Sequence, residues 1–234
     1  MNTAARDAWV LGGQSALGRA VCAALKAQGL APLAVSRSAA TAGQLDLSDL
    51  DAVHAWTAAR LASHGVPAAI VACQRYRPAG EADHGAAARL EVFSVQAMLV
   101  ALCAEAGPAR CQVVLISSAN GQSINPELPF WYHWLKASQL QLMRYYAVCR
   151  SGALDRINAV SPGSFIKGEL AGYPAPLQAH FERLRAHVPS GRVLDVDAVA
   201  ASIALLLSPA ATGIHGQAIS LDGGVTHLFQ ETLI

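Results

Sequence analysis

Short apolar segments alternate with stretches of helical periodicity along the whole chain, and this order is the strongest constraint on its fold. Each segment is typical of a strand that is buried on both faces of a parallel sheet. Because crossovers between parallel strands are right-handed, the order predicts an α/β fold, a doubly wound parallel sheet with helices on both faces. The predicted strands cover residues 8–11, 32–36, 68–73, 111–117, 155–160 and 217–221.

The length of 234 residues fits one domain of this architecture, spanning 1–234, and the 53% of hydrophobic residues fit a sheet covered on both sides. No linker, repeat or charge block divides the chain. One long irregular stretch, 162–191, contains several prolines, and its middle part, 176–187, is expected to form a short amphipathic helix. A stretch of this length within a compact domain is usually functional.

Composition and charge exclude several classes of function. Lys and Arg together number 17 and Asp and Glu 16, so the chain lacks the basic footprint of a protein that binds nucleic acid or an anionic membrane. No apolar run approaches the roughly 18 residues of a spanning helix, and the N-terminus lacks a signal-peptide pattern. The five cysteines lack C-x-x-C pairing, as is typical of reduced thiols in a cytoplasmic protein. The eight histidines form no ligand motif, so no metal is expected.

A glycine-rich turn follows the first predicted strand. Residues 8–11 run into the sequence Gly-Gly-Gln-Ser-Ala-Leu-Gly at 12–18, and a helical stretch follows. Such a turn lets backbone N–H groups and a helix N-terminus approach a pyrophosphate, as in Rossmann-type dinucleotide-binding domains. Glycine-rich turns also simply close βα units, so this segment alone leaves both interpretations open.

Tyr132 and Lys136 form the clearest catalytic pattern. At a separation of four residues they lie on one face of a helix. An ammonium beside a phenol favours the phenolate, so the pKa of the tyrosine is expected to fall from about 10 towards working pH, which makes a general acid/base. The spacing also fits a half-buried tyrosine beside a solvated lysine. Ser117 and Ser118 end the fourth predicted strand, where open α/β sheets bind their ligands.

In this order, the glycine-rich turn, the serine at a strand end and the Tyr-x-x-x-Lys pair resemble the short-chain dehydrogenase/reductase family. Pro162-Gly163 and the Leu-Asp-Gly-Gly at 221–224 extend the resemblance over essentially the whole chain. The resemblance implies a Rossmann-type fold in three α/β/α layers and hydride transfer between a nicotinamide dinucleotide and a small-molecule carbonyl or alcohol substrate. It also implies that 162–191 covers the substrate and that the chain forms a homotetramer or homodimer.

Roles for individual residues follow from the resemblance. Ser118 is expected to bind the carbonyl oxygen, with Ser117 as the alternative, and Tyr132 to deliver the proton. Lys136 is expected to lower the pKa of the tyrosine and to hold the nicotinamide ribose. Ser94 stands where the family has the asparagine of its catalytic tetrad. The residues expected at the cofactor are Gly12, Gln14, Ser15, Ala16, Leu17, Gly18, Arg37, Asp46, Leu47, Cys73, Tyr132, Lys136, Pro162, Gly163 and Phe165.

The helices around 90–105 and 135–150 and the C-terminal strand are expected to build the oligomer. Apolar residues at the end of the chain fit a buried interface or a cap over a neighbouring pocket, and they equally fit the core of the monomer. These residues are Leu221, Val225, Leu228, Phe229, Leu233 and Ile234.

The choice of cofactor depends on the end of the second predicted strand, Val-Ser-Arg-Ser at 35–38. NAD-selective sites have an acid there that binds the ribose 2′-hydroxyl. No acid is present, and the guanidinium of Arg37 suits a 2′-phosphate, so NADP is favoured, with NAD as the alternative. Arg37 also fits a solvated loop residue, and Ser15 stands where NADP-preferring relatives often have a second basic residue. Asp46 resembles the acid that binds the adenine amino group, but it also fits a turn or helix-capping acid.

Several positions depart from the family. Ala16 replaces the second glycine of the turn, and Ala-Cys-Gln-Arg-Tyr-Arg at 72–77 replaces the family's Asn-Asn-Ala-Gly. Arg75 and Arg77 fit either a solvated pair or a contact with an anionic substrate group or a cofactor phosphate. Lys167 stands where relatives often have a threonine. Two alternatives to a reductase therefore stay open: a family member with altered chemistry, such as an epimerase or a lyase, and a non-catalytic dinucleotide-binding regulatory protein.

Overall fold

A computed structural model describes residues 6–38, 42–78, 80–149 and 152–229. They form a parallel sheet of six strands in the order β2-β1-β3-β4-β5-β6, so the predicted doubly wound sheet is confirmed. Leu233, Ile234 and the last residue of the segment 135–150 lie outside the described residues. The strands are β1 (Asp7–Leu11), β2 (Ala31–Val35), β3 (Ala69–Ala72), β4 (Cys111–Ile116), β5 (Leu154–Pro162) and β6 (Ala218–Leu221).

Seven α-helices are present among the described residues, and they connect or flank these strands. Side-chain oxygens of Ser15, Asp49, Asp83 and Asp195 each accept the N–H three residues later, so four helices begin at a capped first turn. The helix predicted over 176–187 is confirmed with one additional residue at its start. The helices are α1 (Ala16–Ala27), α2 (Leu50–His64), α3 (His84–Ala88), α4 (Ser94–Ala104), α5 (Phe130–Val148), α6 (Ala175–His187) and α7 (Val196–Leu207).

The helices cover both faces of the sheet and create a core on each side. On one face, Val21 and Leu25 of α1 pack with Ile203 of α7. On the other face, buried side chains of α2, α4 and α5 pack against β1, β3 and β4. The strands are therefore enclosed on both sides, which explains why they occur in the sequence as nearly continuous apolar runs.

One continuous helical segment, His84–Ala104, consists of α3, a π-helical turn (Arg89–Phe93) and α4. Among the described residues, it is the one helix long and apolar enough to cross a membrane by length and composition alone. More than half of its most apolar window, 56%, is buried inside the protein, where Val95 and Leu99 belong to the core. The segment therefore packs as a core helix.

The strand order places the topological switch point between β1 and β3. β1 pairs with β2 on one side and with β3 on the other, so successive crossovers leave the sheet in opposite directions. In open α/β sheets, ligands bind outside the carboxyl ends of the strands at such a point. The fold thus indicates where a site is expected before any side chain is considered.

Candidate active site

A cavity of about 790 Å³ lies at the carboxyl ends of the strands, at the switch point. Its volume falls within the roughly 300–1,000 Å³ of small-molecule and cofactor sites. Most of the residues predicted for the site line it, whereas Gly18, Asp46 and Ser94 do not. The predicted residues in the lining are Gly12, Gln14, Ser15, Ala16, Leu17, Arg37, Leu47, Cys73, Ser118, Tyr132, Lys136, Pro162, Gly163 and Phe165.

The turn between β1 and α1 leaves no room for a Cβ at any of its three glycines, Gly12, Gly13 and Gly18. Gly12 has a φ of +71°, and a Cβ there would lie 2.7 Å from the Cα of Gln74. A Cβ on Gly18 would lie 2.4 Å from the carbonyl oxygen of Gly12, so Gly18 allows close packing of helix and strand. The Oγ of Ser15 accepts the N–H of Gly18 at 3.0 Å. The N-terminus of α1 therefore opens into the cavity at Ala16, a position that suits a phosphate.

Tyr132 and Lys136 lie at the start of α5, which begins after Pro129. The Nζ of Lys136 is 5.7 Å from the centroid of the Tyr132 ring, so the two side chains share one face as their spacing predicts. Tyr132 is half-buried, but Lys136 is only 3% exposed. The lysine is therefore not a solvated surface residue, and its buried charge requires a partner.

Glu91 is that partner, and sequence reasoning missed it. Its Oε2 lies 2.6 Å from the Nζ of Lys136, and Gln139 donates to the same oxygen at 3.2 Å. Its Oε1 accepts the backbone N–H of Tyr76 at 2.6 Å. Glu91 is 1% exposed and sits in the π-helical turn. Because each charge is satisfied by the other and by neighbouring dipoles, the pair can be tolerated inside the protein.

One feature of the sequence indicates that Glu91 has a buried partner. It is the single acid in the otherwise apolar or small sequence Leu-Glu-Val-Phe-Ser-Val at 90–95. An acid on the buried face of a helix is rarely found without a partner. That signal predicts an ion pair, but it does not identify the lysine.

Ser94 does not join this pair. It is fully buried one turn after Glu91, and its Oγ donates to the carbonyl of Leu90 at 2.7 Å. The short side chain bonds back to its own helix and stays out of the cavity lining. The contacts of Ser94 therefore do not support the expected role in a catalytic tetrad, and Glu91 is the polar residue of this helix that faces Lys136.

The two serines after β4 differ in where their hydroxyl protons are directed. The Oγ of Ser117 donates to the carbonyl of Lys136 at 2.8 Å, so its proton is used in a hydrogen bond to the backbone of α5. The Oγ of Ser118 accepts the backbone N–H and the side-chain N–H of Asn120 at 3.2 and 3.4 Å. Both serines line the cavity, and the proton of Ser118 is free to be donated to a ligand there.

Arg37 and Asp46 lie at the outer end of the cavity. The Arg37 side chain is 78% exposed, and its Nη1 is 4.0 Å from an oxygen of Asp46. Asp46 also accepts the N–H and the hydroxyl of Ser48 at 2.9 and 2.6 Å. Burial alone would raise the pKa of Asp46, but the bonds from Ser48 and the charge of Arg37 lower it overall. Asp46 is outside the lining and is a turn acid, whereas Arg37 and Leu47 line the cavity.

The cavity residues fit a dinucleotide. The side-chain oxygen of Gln74 is buried in the cavity wall and has no hydrogen-bond partner among the described residues. An unpaired buried acceptor is costly unless a bound molecule supplies a donor, and a ribose hydroxyl or a carboxamide is such a donor. Together with the helix N-terminus at Ala16, this acceptor matches the polar groups of a nicotinamide dinucleotide.

Cys73 also lines the cavity, at the end of β3. Burial raises the pKa of its thiol, and the nearby Cys22 raises it further. Cys73 therefore stays protonated and acts as a small apolar wall residue. Within the described ranges, no group of three or more His, Cys, Asp or Glu residues is placed to hold a metal ion.

Three further cations, Arg75, Arg77 and Lys167, line the cavity. The Cζ of Arg75 lies 5.4 Å from the centroid of the Tyr132 ring. Burial lowers the pKa of Lys167, and the charges of Arg75 and Arg77 lower it further. All three cations line the cavity, and all three are also exposed to solvent.

Known proteins resemble this chain in sequence and in fold. A family model described as enoyl-(acyl carrier protein) reductase matches residues 14–226. Cis-4-hydroxycyclohexanecarboxylate dehydrogenase of Sinomonas cyclohexanicum is 30% identical, over 95% of this chain and 97% of its own length. This chain belongs to the short-chain dehydrogenase/reductase family. It is therefore an oxidoreductase by family.

Solved structures of short-chain dehydrogenases/reductases have the same fold. Gluconate 5-dehydrogenase from Burkholderia cenocepacia J2315, in complex with NADP and tartrate, superposes with a TM-score of 0.78 at 22% identity over 96% of each chain. The 3-alpha-hydroxysteroid dehydrogenase from Pseudomonas sp. B-0831, complexed with NADH, superposes with a TM-score of 0.76 at 24% identity, over 96% of this chain and 98% of that one. One structure contains NADP and the other NADH, so both cofactors occur on this fold.

Proposed function

We propose that this short-chain dehydrogenase/reductase is an NADP(H)-dependent carbonyl reductase or alcohol dehydrogenase. The proposal rests on the position of Tyr132 beside the buried Lys136, in the same cavity as the glycine-rich turn and Arg37. A dinucleotide site and an acid/base group in one cavity are what coupled hydride and proton transfer requires. The name of the Sinomonas relative, a dehydrogenase of a hydroxycyclohexanecarboxylate, supports an alcohol or carbonyl substrate.

The glycine-rich turn and Arg37 would hold the dinucleotide. The N-terminus of α1 at Ala16 would accept its pyrophosphate, and Gln74 would accept a hydrogen bond from it. The guanidinium of Arg37 suits a 2′-phosphate because it can form two charge-assisted hydrogen bonds, whereas an NAD-selective site needs an acid in this region. When bound, the dinucleotide supplies the hydride.

Tyr132 would exchange the proton with the substrate oxygen. Two cations lie close to its ring, because the Nζ of Lys136 is 5.7 Å and the Cζ of Arg75 is 5.4 Å from the ring centroid. Glu91 holds the ammonium of Lys136 in place from the other side.

Ser118 would orient the substrate oxygen. Its Oγ already accepts from Asn120, so its own proton is available to donate to a carbonyl oxygen. Such a donor strengthens its bond as negative charge develops on that oxygen, and it positions the carbonyl for the hydride. Ser117, whose proton is used by the backbone of α5, is the weaker candidate.

A fluorescence titration with NADPH and NADH tests the cofactor assignment. The wild type should bind NADPH more tightly, and Arg37→Ala should weaken NADPH by about tenfold or more while leaving NADH nearly unchanged. A preference for NADH would refute the assignment to NADP but not the oxidoreductase. If neither dinucleotide binds, both the assignment to NADP and the proposed oxidoreductase activity are refuted. Turnover of a carbonyl panel that survives Tyr132→Phe would indicate altered chemistry at this site.

We further propose that the protein is a homotetramer or homodimer. Large apolar side chains are exposed along the helices expected at the interface, including Val100 at 52%, Tyr145 at 58% and Val148 at 85%. Phe229, near the C-terminus, is also exposed, at 67%. Surfaces of this kind are typical of subunit contacts. Light scattering after size-exclusion chromatography gives the mass directly, and a monomer at micromolar concentration would contradict the proposal.

A further inference from the structure

The charged residues that line the cavity are all cationic. They are Arg37, Arg75, Arg77, Lys136 and Lys167, and no Asp or Glu of the described residues is part of the lining. Lys136 forms an ion pair with the buried Glu91 at 2.6 Å, and the Nη1 of Arg37 lies 4.0 Å from an oxygen of Asp46. For the remaining three cations, no ion pair within 4.0 Å is found among the described residues.

These three cations line the cavity from two separate parts of the chain, and one of them, Arg75, contacts the ring of Tyr132. Arg75 and Arg77 follow β3, and the Arg75 guanidinium lies against the ring of Tyr132. Lys167 follows β5, and its backbone N–H is fixed by the hydroxyl of Tyr173 at 2.8 Å. Its Nζ lies 5.1 Å from the Phe165 ring.

Like charges that lie close together repel one another, and a bound anion relieves this repulsion. The lowered pKa of Lys167 has burial as its first cause and the charges of Arg75 and Arg77 as its second, so both arginines are close enough to act on Lys167. A cleft lined by one sign of charge concentrates ligands of the opposite sign. The dinucleotide phosphates have a separate binding position at the glycine-rich turn, so these cations are available to a second anion.

We infer that Arg75, Arg77 and Lys167 bind a carboxylate or sulfonate group of the substrate, so that the enzyme acts on oxo-acids or hydroxy-acids rather than on neutral carbonyl compounds. This inference rests on the proposed reductase function. The anionic group lies beside the carbonyl that Tyr132 protonates, and guanidinium groups suit it because they can donate two parallel hydrogen bonds. The cations then determine which substrates are bound, whereas Tyr132 and Ser118 carry the reaction.

Two matched substrates test the inference directly: 4-formylbenzoate and its methyl ester, which differ mainly in the charge. Reduction with saturating dinucleotide is measured in the wild type, Lys167→Met and Arg77→Met, and Lys26→Met serves as a control that loses the same charge on the exposed end of α1. Arg75 is left intact because its removal would also alter the surroundings of Tyr132. The wild type should prefer the acid in kcat/KM, and each site variant should lose about tenfold or more of that preference through KM. The control should keep it.

The Kd for NADPH, measured by fluorescence in the same variants, separates substrate binding from cofactor binding. An unchanged Kd together with a lost preference for the acid supports the inference. A raised Kd with equal losses for acid and ester assigns the cations to the dinucleotide phosphates and overturns it. Equal use of acid and ester by the wild type also overturns it, but leaves the reductase standing.

A titration without turnover covers the case in which neither aldehyde is reduced. Benzoate and benzamide are added to the protein–NADP⁺ complex of the wild type and of Lys167→Met. Preferential binding of benzoate that disappears in the variant retains the anion site while the proposed reductase function fails. Equal binding of both compounds overturns the anion site independently of any activity.

Discussion

Replacing Glu91 by glutamine should destabilise the protein far more than the loss of one carboxylate at the surface. Glutamine keeps an oxygen for the N–H of Tyr76, so the variant removes mainly the charge opposite Lys136. The ammonium then remains 3% exposed with only Gln139 near it. Removing one member of a buried pair typically costs about 3–5 kcal/mol, because an uncompensated charge is left away from water.

This cost is large relative to the stability of an ordinary domain, about 5–15 kcal/mol. In a chain of this length each kcal/mol shifts the Tm by roughly 2–4 °C, so Glu91→Gln should lower the Tm by about 6–20 °C. Lys136→Met should be similarly costly because it leaves the carboxylate unpaired. The double variant removes both charges, and its cost should be smaller than the sum of the single costs by at least about 2 kcal/mol.

Urea unfolding followed by circular dichroism measures the free energy of unfolding of the wild type, the two single variants and the double variant, with and without dinucleotide. Glu182→Gln is the matched control, because Glu182 pairs with Arg185 at 3.5 Å while both side chains are about half exposed, 56% and 49%. That variant should change stability by less than about 1 kcal/mol. Single costs at Glu91 and Lys136 that add within about 0.5 kcal/mol would show that the two groups do not interact, and would refute the reasoning.

Three further variants have expected outcomes. Tyr132→Phe should lower kcat by about 10²–10⁴ without changing the Kd of the dinucleotide, and an equal loss of dinucleotide affinity in fluorescence would contradict its assignment as the proton donor. Gly18→Ala should cost about 1–3 kcal/mol and weaken dinucleotide binding, because its Cβ would lie 2.4 Å from the carbonyl oxygen of Gly12; an unchanged Tm in calorimetry would contradict this. Asp222→Asn should flatten the acid dependence of stability: burial raises the pKa of Asp222, but hydrogen bonds from Thr226 and the backbone lower it overall. Because the folded pKa is below the unfolded one, this stabilisation is present above about pH 4 and lost as the pH falls through the folded value, as unfolding between pH 2 and 7 should show.

The strands could be predicted from the sequence because each is enclosed by helices on both faces. β3, for example, is a short uninterrupted apolar run, and every one of its residues is buried. The helix α6 was predictable because Pro174 and Pro176 stand at its start, and polar and apolar residues then alternate with helical periodicity. In both cases the local sequence contains the information that determines the element.

The partner of Lys136 could not be predicted in this way, because it lies on another helix and depends on a π-helical turn. Comparison with the family pointed to Ser94, three residues from the acid that makes the contact. The same holds for Arg77 and Lys167, which are far apart along the chain and meet only because β3 and β5 end at the same edge of the sheet. Contacts between elements of this kind follow from the three-dimensional arrangement of the chain.

Glu91 joins two parts of the site that would otherwise be exchangeable. One carboxylate oxygen fixes the backbone of Tyr76, between the two arginines, and the other fixes Lys136. An engineer who grafts a different segment after β3 to change the substrate will therefore also disturb the lysine beside the catalytic tyrosine. Substrate specificity and turnover can be redesigned separately only if the grafted segment keeps a backbone N–H that donates to Glu91. The alternative is to replace Glu91 together with the segment.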